Sequence, residues 1–272
     1  MALPVLPELP THLYKFITWE KEYHKRMIEE NEIFFTSAKN FNDPFDSSVP
    51  LRYDLGTEEQ IFELYKTHVK LQHPNLNSTE VERVAINEMR INKIKDPKII
   101  ESNLDYQRRW AIEKYGIFSM TTENKNILMW SHYADSHKGI CLRFNCSRFL
   151  DFIRNDCLRN ELLIVWDKID YQTEYPLLNP FELNDNEVVL KSLLIKSCNW
   201  KYENEFRFIL FDNPDRALII PDGIIDQIII GCNILSENKN KLVELAKLKK
   251  IELLQAIIKR NSFGLDIIKV NV

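Results

Sequence analysis

Between Glu58 and Tyr115 the apolar residues change period, and no other feature of the chain narrows its fold as much. Ile61, Tyr65 and Val69 recur every four residues, Val81, Val84, Ala85 and Met89 form a second stripe, and Leu104, Arg108, Ala111, Ile112 and Tyr115 a third. Apolar residues at that spacing cover one face of a helix. The segment therefore predicts three helices, separated at Pro74 and Pro97, with Gly116 placed to cap the last. The flanking sequence reads differently. Leu13–Ile17, Ile33–Thr36, Ile117–Thr121, Ile140–Phe144, Leu162–Tyr171, Tyr202–Phe211 and Ile228–Ile230 are short apolar or aromatic runs of strand character. Helices are expected near Glu20–Glu30, Asn126–Ala134, Ser147–Leu158, Asp185–Ser197 and Ser236–Lys249, with further apolar segments at Ile251–Ile258 and Leu265–Val270. Strands and helices do not alternate strictly, so the expected fold is α+β: a mixed, mainly antiparallel β core with residues 58–115 as a helical insertion packed beside it. A length of 272 residues fits one domain over 1–272.

Composition removes several function classes. The 36 basic and 40 acidic residues leave a net charge of -4, which gives no electrostatic reason for strong nonspecific binding to nucleic acid. The start, Met1-Ala2-Leu3-Pro4-Val5-Leu6-Pro7, lacks the basic region of a secretion signal and reads as an arm on the surface. No uncharged apolar run approaches the roughly 20 residues that cross a bilayer, so a cytoplasmic protein with no membrane partner is expected. Five cysteines without C-x-x-C spacing point to reduced, structural thiols rather than a disulfide framework. Phosphate-cradling glycine loops, a serine nucleophile elbow and an H-E-x-x-H zinc motif are all missing.

Three segments carry residues suited to chemistry. In Trp200-Lys201-Tyr202-Glu203-Asn204-Glu205-Phe206-Arg207, strand alternation would place Glu203, Glu205 and Arg207 on one face and Trp200, Tyr202 and Phe206 on the other. Two carboxylates and a guanidinium in a row either stabilise a ligand's developing charge or form a cross-strand ion pair. Met129-Trp130-Ser131-His132-Tyr133-Ala134 offers a histidine, hydroxyls and stacking surface on one short helix, although His132 is equally suited to a structural hydrogen bond. His137, five residues on, is poorly placed to complete a metal site with His132, so no metal is expected. Asn42 and Asp43, in Phe41-Asn42-Asp43-Pro44-Phe45-Asp46, either close an Asx-turn pinned by Phe41 and Phe45 or present an amide and a carboxylate to a ligand.

Taken together with Leu13-Tyr14-Lys15-Phe16 and His137-Lys138-Gly139-Ile140, these segments resemble the bacterial family called domain of unknown function twenty-nine seventy-one, from about Leu13 to Ile230. In outline the chain also resembles ADP-ribosyltransferase-like folds. That second resemblance implies Lys15 at a first-strand position where Arg or His is usual, Tyr133 or Thr36 at a second, and Glu203-Asn204-Glu205 at a third. It further implies NAD as a substrate, with Glu205 as catalytic carboxylate, Glu203 positioning the acceptor and Tyr133 stacking on nicotinamide. The expected site is then Glu205, Glu203 and His132 for catalysis, with Lys15, Asn42, Asp43, Trp130, Ser131, Tyr133 and Arg207 for binding. Two functions follow as alternatives: an NAD-cleaving or ADP-ribose-transferring enzyme, or a non-catalytic module of bacterial defence or stress response that binds a nucleotide or a protein.

Overall fold

A computed structural model describes residues 6–47, 49–183 and 185–270. In chain order its main elements are β1 (His12–Ile17), α1 (Glu22–Glu29), β2 (Glu32–Ser37), α2 (Glu58–Gln72), α3 (Ser78–Ile91), α4 (Pro97–Lys114), β3 (Tyr115–Thr121), α5 (Ile127–Tyr133) and β4 (Ile140–Asn145). They continue with α6 (Cys146–Phe152), β5 (Ile164–Lys168), β6 (Asp170–Gln172), α7 (Asp185–Leu194), β7 (Ile195–Ser197), β8 (Glu205–Phe211), β9 (Arg216–Ile219), β10 (Ile225–Ile230), α8 (Ser236–Lys249), β11 (Glu252–Ile258) and β12 (Leu265–Lys269). The fold is α+β. Two compact units emerge: one contains Phe41–Glu113 and Glu174–Ile195, the other the remaining described residues.

The first unit holds the three helices expected from the apolar stripes. Thr57 and Asn77 open α2 and α3 with reciprocal capping boxes, in which each side chain accepts from the N3 amide while the Gln60 or Glu80 side chain accepts in return. Val69, Val81 and Ala85 close a small core between them. Pro97 does more than separate helices: it is the first residue of α4, where a missing N–H costs nothing. The side chains of Arg108, Ala111 and Ile112 lie outside the described residues. Phe45, expected to pin its loop, is 64% exposed.

The second unit is built on a sheet ordered β12-β11-β10-β4-β1-β3-β2-β9, with β8 also on β3 and β5 beyond β8. Every pairing is antiparallel except β10 with β11. The sheet branches at β3. One edge of β3 is covered along its whole length by β8, from Tyr115↔Phe211 to Thr121↔Glu205. The other edge is divided, with Thr121 opposite Tyr14 of β1 and Ile117 and Gly116 opposite Thr36 and Ser37 of β2. Between these two pairings the Lys15 ammonium donates to the Ser119 carbonyl at 2.7 Å, filling a place in the ladder that no strand fills.

Alternation along the central strands explains the main core. Phe118 and Met120 of β3 join Phe206, Phe208 and Leu210 of β8 in one buried cluster, which leaves Ser119, Thr121, Glu205 and Arg207 to the opposite face. Leu6 and Leu9 pack against this cluster, and Trp166 Nε1 donates to the Pro7 carbonyl at 2.9 Å, so the arm is pinned from residue 6 onward. Met1–Val5 lie outside the described residues.

Several sequence expectations are corrected. Gly116 is not a helix cap: it lies within β3, where a Cβ would sit 2.9 Å from Phe35 Cβ and 2.8 Å from the Asn213 carbonyl oxygen. The strand expected from Tyr202 begins only at Glu205, because Cys198–Glu203 is a 3-10 turn. The helix expected over Asp185–Ser197 stops at Leu194. The apolar segments near the end are the strands β11 and β12, and β9, which had no strand signal, pairs with β2. All five cysteines are free thiols. Among the described residues no helix is long and apolar enough to cross a membrane.

Candidate functional site

The chain entering β8 brings two carboxylates together by an unexpected route. Ser197 caps the turn Cys198–Glu203 by accepting from the Asn199 amide, and Asn204 ends it in the left-handed region at φ 44°. Asn tolerates that conformation better than most residues. Glu203 is thus the last residue of a turn and Glu205 the first of a strand, and they meet because the backbone reverses between them. Lys196 completes the meeting, its ammonium donating to Glu203 Oε2 at 2.6 Å and to Glu205 Oε2 at 3.2 Å. The other Glu205 oxygen, Oε1, accepts from Arg207 Nε at 3.0 Å and from a second Arg207 nitrogen at 2.9 Å. Arg207 is fully buried, paired across the ladders with Ser119 on one side and Asp167 on the other. The Glu205 amide donates to the Tyr171 hydroxyl at 2.9 Å.

Glu203 has a different neighbourhood. Its Oε1 accepts from the Tyr133 hydroxyl at 2.5 Å. The α5 helix that carries Tyr133 is tied to the same turn by Asn126, which caps α5 and donates to the Tyr202 carbonyl at 2.8 Å. Above the charges lies a run of aromatic rings. Trp200 and Tyr202 are 6.1 Å apart, Tyr202 and His132 6.2 Å, and the Lys196 ammonium is 5.1 Å from the Trp200 ring centre. Trp200, Tyr202 and Tyr133 are half-buried and His132 is exposed, so the run opens to solvent although the carboxylates beneath it do not.

Electrostatics separates the two carboxyls. For Glu205 burial alone would raise the pKa, but Arg207, Lys196 and a hydrogen bond from Ser119 overcome it and hold the carboxyl down at about 2. For Glu203 burial prevails over Lys196 and Tyr133, and its pKa is raised. Lys15 lies in the same field: burial lowers its pKa to about 8 against the pull of Glu205 and Glu203, and its ammonium stands 4.8 Å from the Phe118 ring centre.

Of the residues expected at the site, Lys15, Tyr133, Glu203, Glu205 and Arg207 belong to this neighbourhood, with His132 on its aromatic rim. Ser131 is exposed on α5. Trp130 is wholly buried in a second cluster with Phe16, Met129 and Cys141, its Nε1 donating to the Asn124 carbonyl, which makes it a packing residue. Thr36 sits in β2 and accepts from Asn40. Asn42 and Asp43 belong to the other unit. There Asn42 is exposed, and Asp43 is buried and accepts from the Phe45 amide at 2.9 Å, as an Asx-turn requires. Lys196 and Tyr171 escaped the sequence reading. A lysine closing the apolar run Leu193-Leu194-Ile195 is the one signal that pointed to Lys196.

Every member of the network except Lys15, Ser119 and Asn126 falls between residues 129 and 208. Residues 129–208 match the family model described as Protein of unknown function (DUF2971). The family resemblance drawn from the motifs is therefore supported over the stretch that builds the site, whereas nothing in the comparisons supports the likeness to ADP-ribosyltransferases. No curated protein and no solved structure matches the chain.

Proposed function

We propose that the sheet-bearing unit is a binding module for a nucleoside or nucleotide, with Glu203 and Tyr133 as its polar contacts and the Trp200, Tyr202 and His132 rings as its stacking surface. The observation that carries this reading is the division of labour between the two carboxylates. Both oxygens of Glu205 are engaged by Arg207 and Lys196, so it supports the fold and holds Lys196 in place. Glu203 is buried and engaged at both oxygens as well, by Lys196 and Tyr133, but Tyr133 and the Tyr202 ring are half-buried, so a ligand hydroxyl replacing that of Tyr133 would reach it while the rings take a planar base.

The raised pKa of Glu203 favours a second reading, in which this carboxyl exchanges a proton with bound substrate and NAD is cleaved. Calorimetry with AMP and NAD, together with an assay of NAD consumption, separates the two. The binding reading expects saturable binding without turnover, weakened about ten-fold or more by Glu203→Gln. Turnover abolished by Glu203→Gln would establish the enzyme reading instead, and the absence of both binding and turnover would remove each.

A further inference from the structure

We propose a second ligand site in the same unit, distinct from the Glu203 neighbourhood, that takes a phosphate monoester with a planar apolar body. It is the cavity between the tip of the β11–β12 hairpin and the turn that follows α5, with a volume of about 800 Å³. That size is within the range of small-molecule sites, roughly 300–1,000 Å³.

The turn after α5 is strained. Asp135, Ser136 and His137 are three successive non-glycine residues at positive φ, 45°, 53° and 68°. Such backbone is costly, and it persists only where the surroundings fix it. Here the Gly139 amide donates to the Ala134 carbonyl and the Asn233 amide to the His137 carbonyl. Gly231 lies so close that a Cβ there would stand 2.0 Å from the His137 oxygen. What this strain holds in place is the His137 ring, which lines the cavity, lies parallel to the Trp130 ring and keeps its Nδ1 out of solvent with no hydrogen-bond partner among the described residues. A nitrogen shut off from solvent is equally shut off from a ligand in an open cavity, so the ring offers the site its flat apolar surface and not this nitrogen.

The hairpin tip carries positive charge. Lys259 has only a distant contact with Asp266, at 3.7 Å, and Arg260 has no acidic partner among the described residues, so two cations stand together at the mouth. Phe263 is completely exposed on the same loop, beside Gly264 at φ 142°, and Ile258 is 66% exposed. A free guanidinium and a loosely paired ammonium next to an unpacked aromatic ring match an anion attached to a flat apolar group. The guanidinium of Arg260 would fork onto phosphate oxygens, Lys259 would add a point charge, and the flat body would lie against Phe263 and the Ile127 and Ile258 side chains.

The test is calorimetry on the full chain with phenyl phosphate, inorganic phosphate and phenol. Phenyl phosphate is expected to bind saturably. Arg260→Ala should weaken it about ten-fold. Phe263→Ala should weaken phenyl phosphate several-fold but leave inorganic phosphate unchanged. Both side chains are exposed, so both variants keep the fold, and an unchanged melting temperature checks this. No saturable binding up to about 10 mM, a value well beyond weak specific binding, or affinity indifferent to both substitutions, overturns the proposal. So does binding lost with Glu203→Gln but kept with Arg260→Ala, which would place the ligand at the other site. Phe263-dependent sedimentation with phosphatidate vesicles, without binding of phenyl phosphate, would also overturn it and make the loop a lipid contact.

Discussion

At the start of β8 the charged groups Lys196, Glu203, Glu205 and Arg207 are buried and answer one another through hydrogen bonds of 2.6–3.2 Å. At the turn from β11 to β12 the charged groups Lys259 and Arg260 are exposed and answered only by a distant Asp266. Both regions belong to one sheet, yet their charges work differently. Buried charges that are matched hold the chain in one arrangement, and losing one leaves its partner stranded in a poor solvent. Exposed charges contribute little to stability and stay available for something arriving from outside.

Substitution can break that comparison. The largest effect is expected for Arg207→Met, which strands Glu205 and should cost about 3–5 kcal/mol of unfolding free energy in urea titration. An unchanged midpoint would mean that the network does not support the fold. Acid probes the same pair. The folded pKa of Glu205, about 2, lies below its ordinary 4.5, so the unfolded chain takes up the proton first. Stability that is full above pH 4.5 should therefore drain away toward pH 2, and Arg207→Met should flatten that decline. Gly231→Ala comes next, with about 1–3 kcal/mol expected from the collision with the His137 carbonyl. Amide exchange that speeds up in the Asp135–His137 turn while β8 stays protected would place the damage at the hairpin cavity.

Lys15 gives a pH effect of the same sign in the alkaline range. Its folded pKa of about 8 lies below its ordinary 10.5, so over that interval the unfolded chain holds the extra proton and the native protein should gain stability as pH rises. Denaturant midpoints measured below pH 8 and above pH 10 should show this gain in the native chain and not in Lys15→Met. The smallest effect belongs to Arg260→Ala, expected to change stability by less than about 0.5 kcal/mol. A larger loss would show that the hairpin cations are structural after all, and the contrast between the two regions would disappear.

What the sequence made legible follows from how local each signal is. The three helical stripes, the segment around Glu205 and the helix bearing Tyr133 all announce themselves within a few residues. Lys196 and Tyr171 do not, because nothing near them in the chain records that they meet Glu203 and Glu205 in space. Strand alternation alone put Glu203 on the face of Glu205. The two do meet, but through the left-handed Asn204, which periodicity cannot register. The turn at Asp135–His137 was hidden for a related reason: positive φ is usually advertised by glycine, and none is present there. Gly116 misled in the other direction, its place after a helix masking a close approach to Phe35.

The divided edge of β3 has a consequence for how quickly the chain can find its fold. Its partners β1 and β2 come from before the helical segment Phe41–Glu113, and β8 comes from well after it, so the most central strand is completed only by pieces of chain far removed in sequence. Closing such loops costs entropy that grows only with the logarithm of their length, but that cost falls before any ladder bond repays it. Meanwhile α2 and α3, satisfied by their own caps and neighbours, can form early. The protein is therefore expected to acquire helix quickly and its sheet slowly, with the Lys15 ammonium reaching the Ser119 carbonyl only once both halves of that edge have arrived.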